Sequence, residues 1–207
     1  MENFESQVAF WDRVSSLAGE KKRGFSAREV LAAAEPFLLP SKKVLDVGCG
    51  QGGISKAMAR HVHSVRAIDI SSGMIAVAKS DNEGAPISNI SFEVGSVFSL
   101  SDNENDWNMI TSFNVLPYII NLERMLCRLS NMLPPGGLFL ISSACLGERM
   151  SLLRMLVVTL SKLEIMPKLH QFKSRNLVNL LNDAGFEILE IKKISRLPEY
   201  FIACKKR

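Results

Sequence analysis

Residues 44–53 read Val-Leu-Asp-Val-Gly-Cys-Gly-Gln-Gly-Gly, VLDVGCGQGG. With Lys43 in front, the apolar run Lys43 to Val47 ends at a glycine, the pattern of a strand buried on both faces in a parallel sheet. A helix is predicted to follow from Ile54 to His61. A glycine-rich turn between strand and helix bends tightly and lets a ligand approach main-chain N–H groups at the positive end of the helix. Two templates fit. Read as GxGxxG, the match is Gly48, Gly50 and Gly53, a dinucleotide signature; read as DxGxGxG, it is Asp46, Gly48, Gly50 and Gly52. The glycines alone do not separate them.

Outward from this turn the pattern alternates. Strands are predicted at Ser64 to Ile68, Ile90 to Val94, Trp107 to Phe113 and Gly137 to Ser142. Helices are predicted at Gly73 to Ser80, Leu122 to Met132, about Glu148 to Leu163, and Ser174 to Ala184. Alternation of this kind implies right-handed crossovers and helices on both faces of a mainly parallel sheet. Two final strands, Phe186 to Ile194 and Glu199 to Lys205, are too close for a crossover and must pair antiparallel. The expected fold is therefore α/β, doubly wound, with a mainly parallel seven-stranded sheet and an antiparallel C-terminal hairpin. Before the first strand, Phe4, Val8, Trp11 and Val14 follow a helical period, Gly19 to Gly24 reads as a polar link, and Ser26 can cap a second helix running to Leu38. The chain is expected to be one domain over residues 1–207: a helical cap (1–40), a cofactor-binding core (41–145) and a substrate side (146–207).

Asp69 closes the second predicted strand, 21 residues beyond Gly48. A carboxylate there accepts hydrogen bonds from both ribose hydroxyls of a nucleoside. Asp46 discriminates between the templates. Inside the loop it would repel a pyrophosphate, whereas it attracts a cationic amino-acid cofactor.

With these residues in view, the chain resembles the class I S-adenosylmethionine-dependent methyltransferases, in particular the small-molecule type that acts in ubiquinone and menaquinone biosynthesis. The resemblance covers about residues 41 to 145 and rests on VLDVGCGQGG, AIDIS, WNMITSFNVL and LPPGGLFLIS in that order. It implies a Rossmann-like methyltransferase fold, S-adenosyl-L-methionine as cofactor, and methyl transfer to a small, partly apolar molecule. It assigns cofactor contacts to Asp46, Gly48, Cys49, Gly50, Asp69, Ile70, Ser96, Val97 and Phe113. Asp46 would lie by the methionine amino group, Gly48 and Gly50 beneath the cofactor, Asp69 on the ribose and Ile70 on the adenine. Many relatives have Gly-Asp after the third strand, where this chain has Gly95 and Ser96, and paired histidines after the fourth, where it has Pro117 and Tyr118. FNVLPY misses the spacing of the Asn-Pro-Pro-Tyr motif of amino-nitrogen methylation by one residue.

Methyl transfer needs a general base only when the nucleophile arrives protonated. Tyr118, at the ligand edge of the fourth strand, and His170 are the candidate catalytic residues, with Glu148 a further candidate base; His61 and His63 are expected to be structural. Leu153, Leu156, Val157, Leu160 and Leu163 form an apolar stripe with Ser151, Arg154 and Lys162 opposite. It suits a packing helix, a lid over an apolar substrate, or a peripheral contact with a membrane surface. Phe4, Phe10 and Trp11 could complete such a lid.

The 207 residues include 47% hydrophobic ones, enough for a substantial core. Four well-separated cysteines (49, 127, 145, 204) without a CxxC pair argue against a zinc site and for a reducing, cytoplasmic setting. MENFESQVAFWDR has no signal-peptide character, and no apolar run reaches the roughly 20 residues of a membrane span. The net charge of +4 is unevenly spread: −1 over residues 1–40, −1 over 41–140 and +6 over 141–207. DNA is not an expected partner. RNA or protein methylation using the basic last third, and a non-catalytic cofactor-binding module, are the alternatives to the small-molecule reading. The oligomeric state is not legible.

Overall fold

A computed structural model describes residues 4–17, 27–84, 86–101, 106–148, 150 and 152–207. The polar link at Gly19 to Gly24 and the Ser26 cap lie outside them. The elements are α1 (Phe4–Leu17), α2 (Ala27–Ala34), β1 (Lys43–Val47), α3 (Gly53–Ala59), β2 (Ser64–Asp69), α4 (Ser72–Gly84), β3 (Ile90–Val94), β4 (Met109–Phe113), α5 (Leu122–Met132), β5 (Leu138–Ala144), α6 (Leu152–Lys162), α7 (Ser174–Asp183), β6 (Phe186–Lys193) and β7 (Glu199–Lys206). The strands form one seven-stranded sheet in the order β3-β2-β1-β4-β5-β7-β6. Strands β1 to β5 pair parallel, while β7 pairs antiparallel with both β5 and β6. The strand order reverses between β1 and β4, and at such a switch point the outgoing loops diverge and leave a crevice at the carboxyl ends of the strands.

Period-2 alternation divides the core between the two faces of the sheet. Val44, Met109, Leu140 and Phe201 face Val30 and Ala34 of α2, Met58 of α3 and Ile75 of α4. Leu45, Ile110, Phe139 and Ile202 face Met125, Leu126 and Leu129 of α5 with Leu177 and Leu181 of α7. Each fully buried aliphatic or aromatic side chain of this kind contributes about 1.5–3 kcal/mol.

The helix expected from Glu148 begins later, at Leu152. Pairing with β7 carries β5 on to Ala144, and Glu148 ends a short 3-10 turn (Leu146–Glu148) whose carboxylate turns away to α7. Glu148 Oε1 accepts from Ser174 N (2.7 Å) and Ser174 Oγ (2.6 Å), holding the first turn of that helix. On α6 Leu156 is 56% exposed and Met155 also points to solvent, and Leu163, just past the end of the helix, is 62% exposed. The apolar stripe thus lies partly on the outer side of the helix. Among the described residues no helix is long and apolar enough to cross a membrane.

Candidate functional site

The turn after β1 is held from the β2 side. Gly48 N and Cys49 N both donate to Ile68 O (2.8 and 3.1 Å), and Gly50 N donates to Asp69 Oδ2 (2.9 Å). The two leading glycines serve different ends. Gly48 has φ +75, and a Cβ there would stand 2.3 Å from Val115 Cγ2, so this glycine allows the end of β4 to pack on the turn. Gly50 has φ +53, and apart from its chain neighbours nothing lies within 4 Å of where a Cβ would sit. Its space is open to a ligand.

Asp46 lies beneath the turn, 2% exposed. Its Oδ2 accepts from Ser55 Oγ of α3 (2.6 Å) and its Oδ1 from Thr111 Oγ1 of β4 (2.7 Å). No cationic side chain among the described residues pairs with it. Burial pushes its carboxyl above the ordinary range, against the opposing pull of the two hydroxyls. Asp69 is raised for the same first reason, although Ser71 N and Gly50 N donate to it. Cys49, half-buried between these two acids, has its thiol pushed up by desolvation and then by both carboxylates, which leaves it protonated and inert.

Ile70 is half-buried at the foot of the next turn, and Phe113 is half-buried at the end of β4. Gly95 N donates to Asp69 O (2.8 Å), tying the loop after β3 to the same carboxylate residue. In that loop Ser96 N donates to Ser99 Oγ (3.0 Å), while Arg128 of α5 donates through Nε to Val97 O (2.7 Å) and through Nη2 to Leu100 O.

Helix α1 crosses this edge of the sheet. Asp12 Oδ1 accepts from Ser71 Oγ (2.6 Å) and Gly73 N (2.9 Å), a carboxylate placed on the positive end of α4. At the other side, Gln7 Nε2 donates to Tyr118 O (2.8 Å) and the Trp11 ring meets Tyr118 edge-on at 4.9 Å. Burial raises the Tyr118 phenol above its ordinary value, so it is a hydrogen-bond donor rather than a ready base. His170 stacks on Phe172 and has Nε2 2.8 Å from Ile119 O, while its backbone N donates to Pro117 O (2.7 Å). It braces the turn that carries Tyr118. Asp12, Ser55, Thr111 and Arg128 were not singled out by sequence reasoning, since no residue type or spacing marks them and Asp12, Thr111 and Arg128 act on partners distant in the chain.

A family model described as a methyltransferase domain matches residues 19–191. The chain belongs to the class I S-adenosylmethionine-dependent methyltransferases. The chain is 32% identical over 109 residues to the ubiquinone biosynthesis O-methyltransferase of Coxiella burnetii, covering 53% of this chain and 46% of that one. It is 32% identical over 166 residues to the mitochondrial ubiquinone biosynthesis O-methyltransferase of Schizosaccharomyces pombe, covering 76% and 59%. The chain thus spans about half the length of the curated relatives it matches. Its fold also superposes on the magnesium protoporphyrin IX methyltransferase of Synechocystis with bound SAH, at a TM-score of 0.74 and 19% identity over 97% of this chain and 95% of that one. The family's cofactor is S-adenosylmethionine. The residues present fit it: the open cradle over Gly50, a carboxyl at the end of β2, and a buried carboxyl under the turn whose ionised form a cationic ligand would favour. Among the described residues no group of His, Cys, Asp and Glu could hold a metal ion.

The raised acids set a pH dependence. A carboxyl raised on folding contributes stability that is full below its ordinary value and is lost as pH rises through the raised one. The cofactor-free protein should therefore melt at lower temperature as pH rises above the ordinary carboxylate range. Asp46→Asn should flatten that slope, read by thermal melts across the range.

Proposed function

We propose that this domain transfers the methyl group of S-adenosylmethionine to a hydroxyl of a small, partly apolar molecule. The observation that carries the reading is the open, acid-flanked turn at the β1/β4 switch point, in a chain whose relatives are named O-methyltransferases. When bound, the cofactor supplies an electrophilic methyl carbon on a sulfonium. The protein's part is orientation and exclusion of water. Asp69 receives the ribose hydroxyls while it holds Gly50 and Ser71; Ile70 packs on the adenine, and the Ser96–Val97 loop, braced by Arg128, borders it. Asp46 acts from below, as a charge and as the clamp between α3 and β4. Cys49 contributes its backbone, and Phe113 the wall beside the methionine. Residues 41–145 would form the cofactor half, and 1–40 with 146–207 the acceptor side.

Helix α1 is the lid of this reading. Asp12→Ala removes two hydrogen bonds to the first turn of α4, costing about 1 kcal/mol as the loss of a helix cap does. It should speed release of S-adenosylmethionine by about fivefold, measured by stopped-flow fluorescence of Trp11. Unchanged release would remove α1 from the role.

The basic last third supports an RNA reading poorly. Lys205 pairs with Glu187 (3.1 Å), Lys206 donates to Ser130 O and Arg207 to Asn182, at the end of β7 away from the ligand edge. Exposed Met155, Leu156, Leu163 and Ile165 around Lys162 instead support contact of α6 with an apolar acceptor or a lipid surface. Four free cysteines support a reducing, cytoplasmic setting. Calorimetry with S-adenosylmethionine and NAD tests the cofactor reading, which NAD binding alone would overturn. Transfer of labelled methyl to a metabolite extract, an RNA pool and a protein lysate tests the acceptor class. Label confined to RNA or protein would overturn the small-molecule reading.

A further inference from the structure

The ligand edge of the sheet carries a second carboxylate constellation that the cofactor does not use. At the end of β4, Asn114 stands in the left-handed region at φ 60, which non-glycine residues seldom adopt. It is exposed, its N–H is tied to Ser142 O (2.9 Å), and its side-chain Nδ2 donates to Glu199 Oε1 at 2.9 Å. Glu199 opens β7 opposite Ala144 and is only 9% exposed, an unusual burial for a carboxylate with no cationic partner among the described residues. On the same face of the sheet by strand alternation, the fully buried Ser142 Oγ has no hydrogen-bond partner. The next residue after Asn114 is Val115, the side chain against which Gly48 packs. Glu199 therefore lies beyond β4 from the cofactor turn, on the side where an acceptor would approach the methyl group.

Resting on the O-methyltransferase reading above, we propose that Glu199, oriented by Asn114, binds the hydroxyl of the methyl acceptor and takes its proton. In that step the acceptor oxygen forms the O–CH3 bond, the electron pair of the S–CH3 bond stays on sulfur, and the hydroxyl proton passes to the Glu199 carboxylate, which later returns it to water. Asn114 is a positioning residue. Its left-handed backbone turns the amide towards β7 instead of continuing along β4. An amide so turned fixes one carboxylate oxygen and leaves the other for the acceptor.

The test loads the full chain with S-adenosylhomocysteine and titrates 4-nitrocatechol, whose visible absorption moves to longer wavelength when its hydroxyl gives up its proton to a carboxylate. Wild type should bind the dye with that shift. Glu199→Gln should bind S-adenosylhomocysteine as wild type does, but lose the shift and bind the dye about tenfold or more weakly, the scale of one hydrogen bond to a charged group. Asn114→Ala should weaken dye binding and keep the shift. Glu199→Asp should retain part of the shift, which decides the matter if the glutamine variant does not fold. Equal dye binding and colour in wild type and Glu199→Gln, or no dye bound by protein that holds S-adenosylhomocysteine, would overturn the proposal. Absence of S-adenosylhomocysteine binding in wild type would instead overturn the cofactor reading on which it rests.

Discussion

Asp69→Ala is expected to lower the affinity for S-adenosylmethionine by about two orders of magnitude in isothermal calorimetry. The carboxylate accepts from Gly50 N and Ser71 N, so it fixes the cofactor turn and the start of α4 at once. Each hydrogen bond to a charged group is worth about 1.5–3 kcal/mol, and a factor of ten in affinity is about 1.4 kcal/mol. Losing the ribose contacts together with the ordering of Gly50 gives the stated factor. Asp69→Asn should fall between, at about tenfold, because one amide N–H of the asparagine then faces a backbone donor. Equal affinity for Asp69→Ala and wild type would mean that the nucleoside lies elsewhere.

Alanine at Gly48 and alanine at Gly50 should fail in different ways. Both positions have positive φ, where an L side chain costs about 1–2 kcal/mol. At Gly48 the new methyl also meets Val115 at 2.3 Å, and overpacking adds about 1–3 kcal/mol. Urea unfolding should thus show Gly48→Ala losing about 2–5 kcal/mol and Gly50→Ala only the backbone part. Adding Val115→Ala to Gly48→Ala should recover part of the overpacking cost, which a double-mutant cycle reads directly. Cofactor affinity should respond in the opposite order, because the Cβ at Gly50 enters the open cradle. Equal stability losses at the two positions would refute the division of labour between these glycines.

Much of this was legible without coordinates. The boundaries of β1 and β3 coincide with the apolar runs that predict them, and α5 runs from Leu122 to Met132 as its period requires. These elements are written by local spacing of apolar residues, which the buried faces then repeat. The start of α6 was not legible, because Glu148 leaves the helical pattern to bind Ser174. The outward turn of Leu156 and Leu163 was not legible either, since an apolar stripe states which residues share a side and not whether anything covers it.

The candidate site divides in the same way. The glycine turn, Asp46 and Asp69 stand out in the sequence because they must sit at fixed offsets along one strand–turn–helix unit. What each carboxylate touches did not follow from those offsets. Asp46 is clamped by Thr111 across 65 positions, Asp12 meets Ser71 across 59, and Glu199 meets Asn114 across 85. The sequence by itself thus determined the order of strands and helices and the chemistry of the cofactor turn, both properties of short stretches. Only the tertiary structure decided which distant residues each of these acids touches. A hydrogen bond acts over about 3 Å, and distant stretches of chain come that close only when the sheet is assembled.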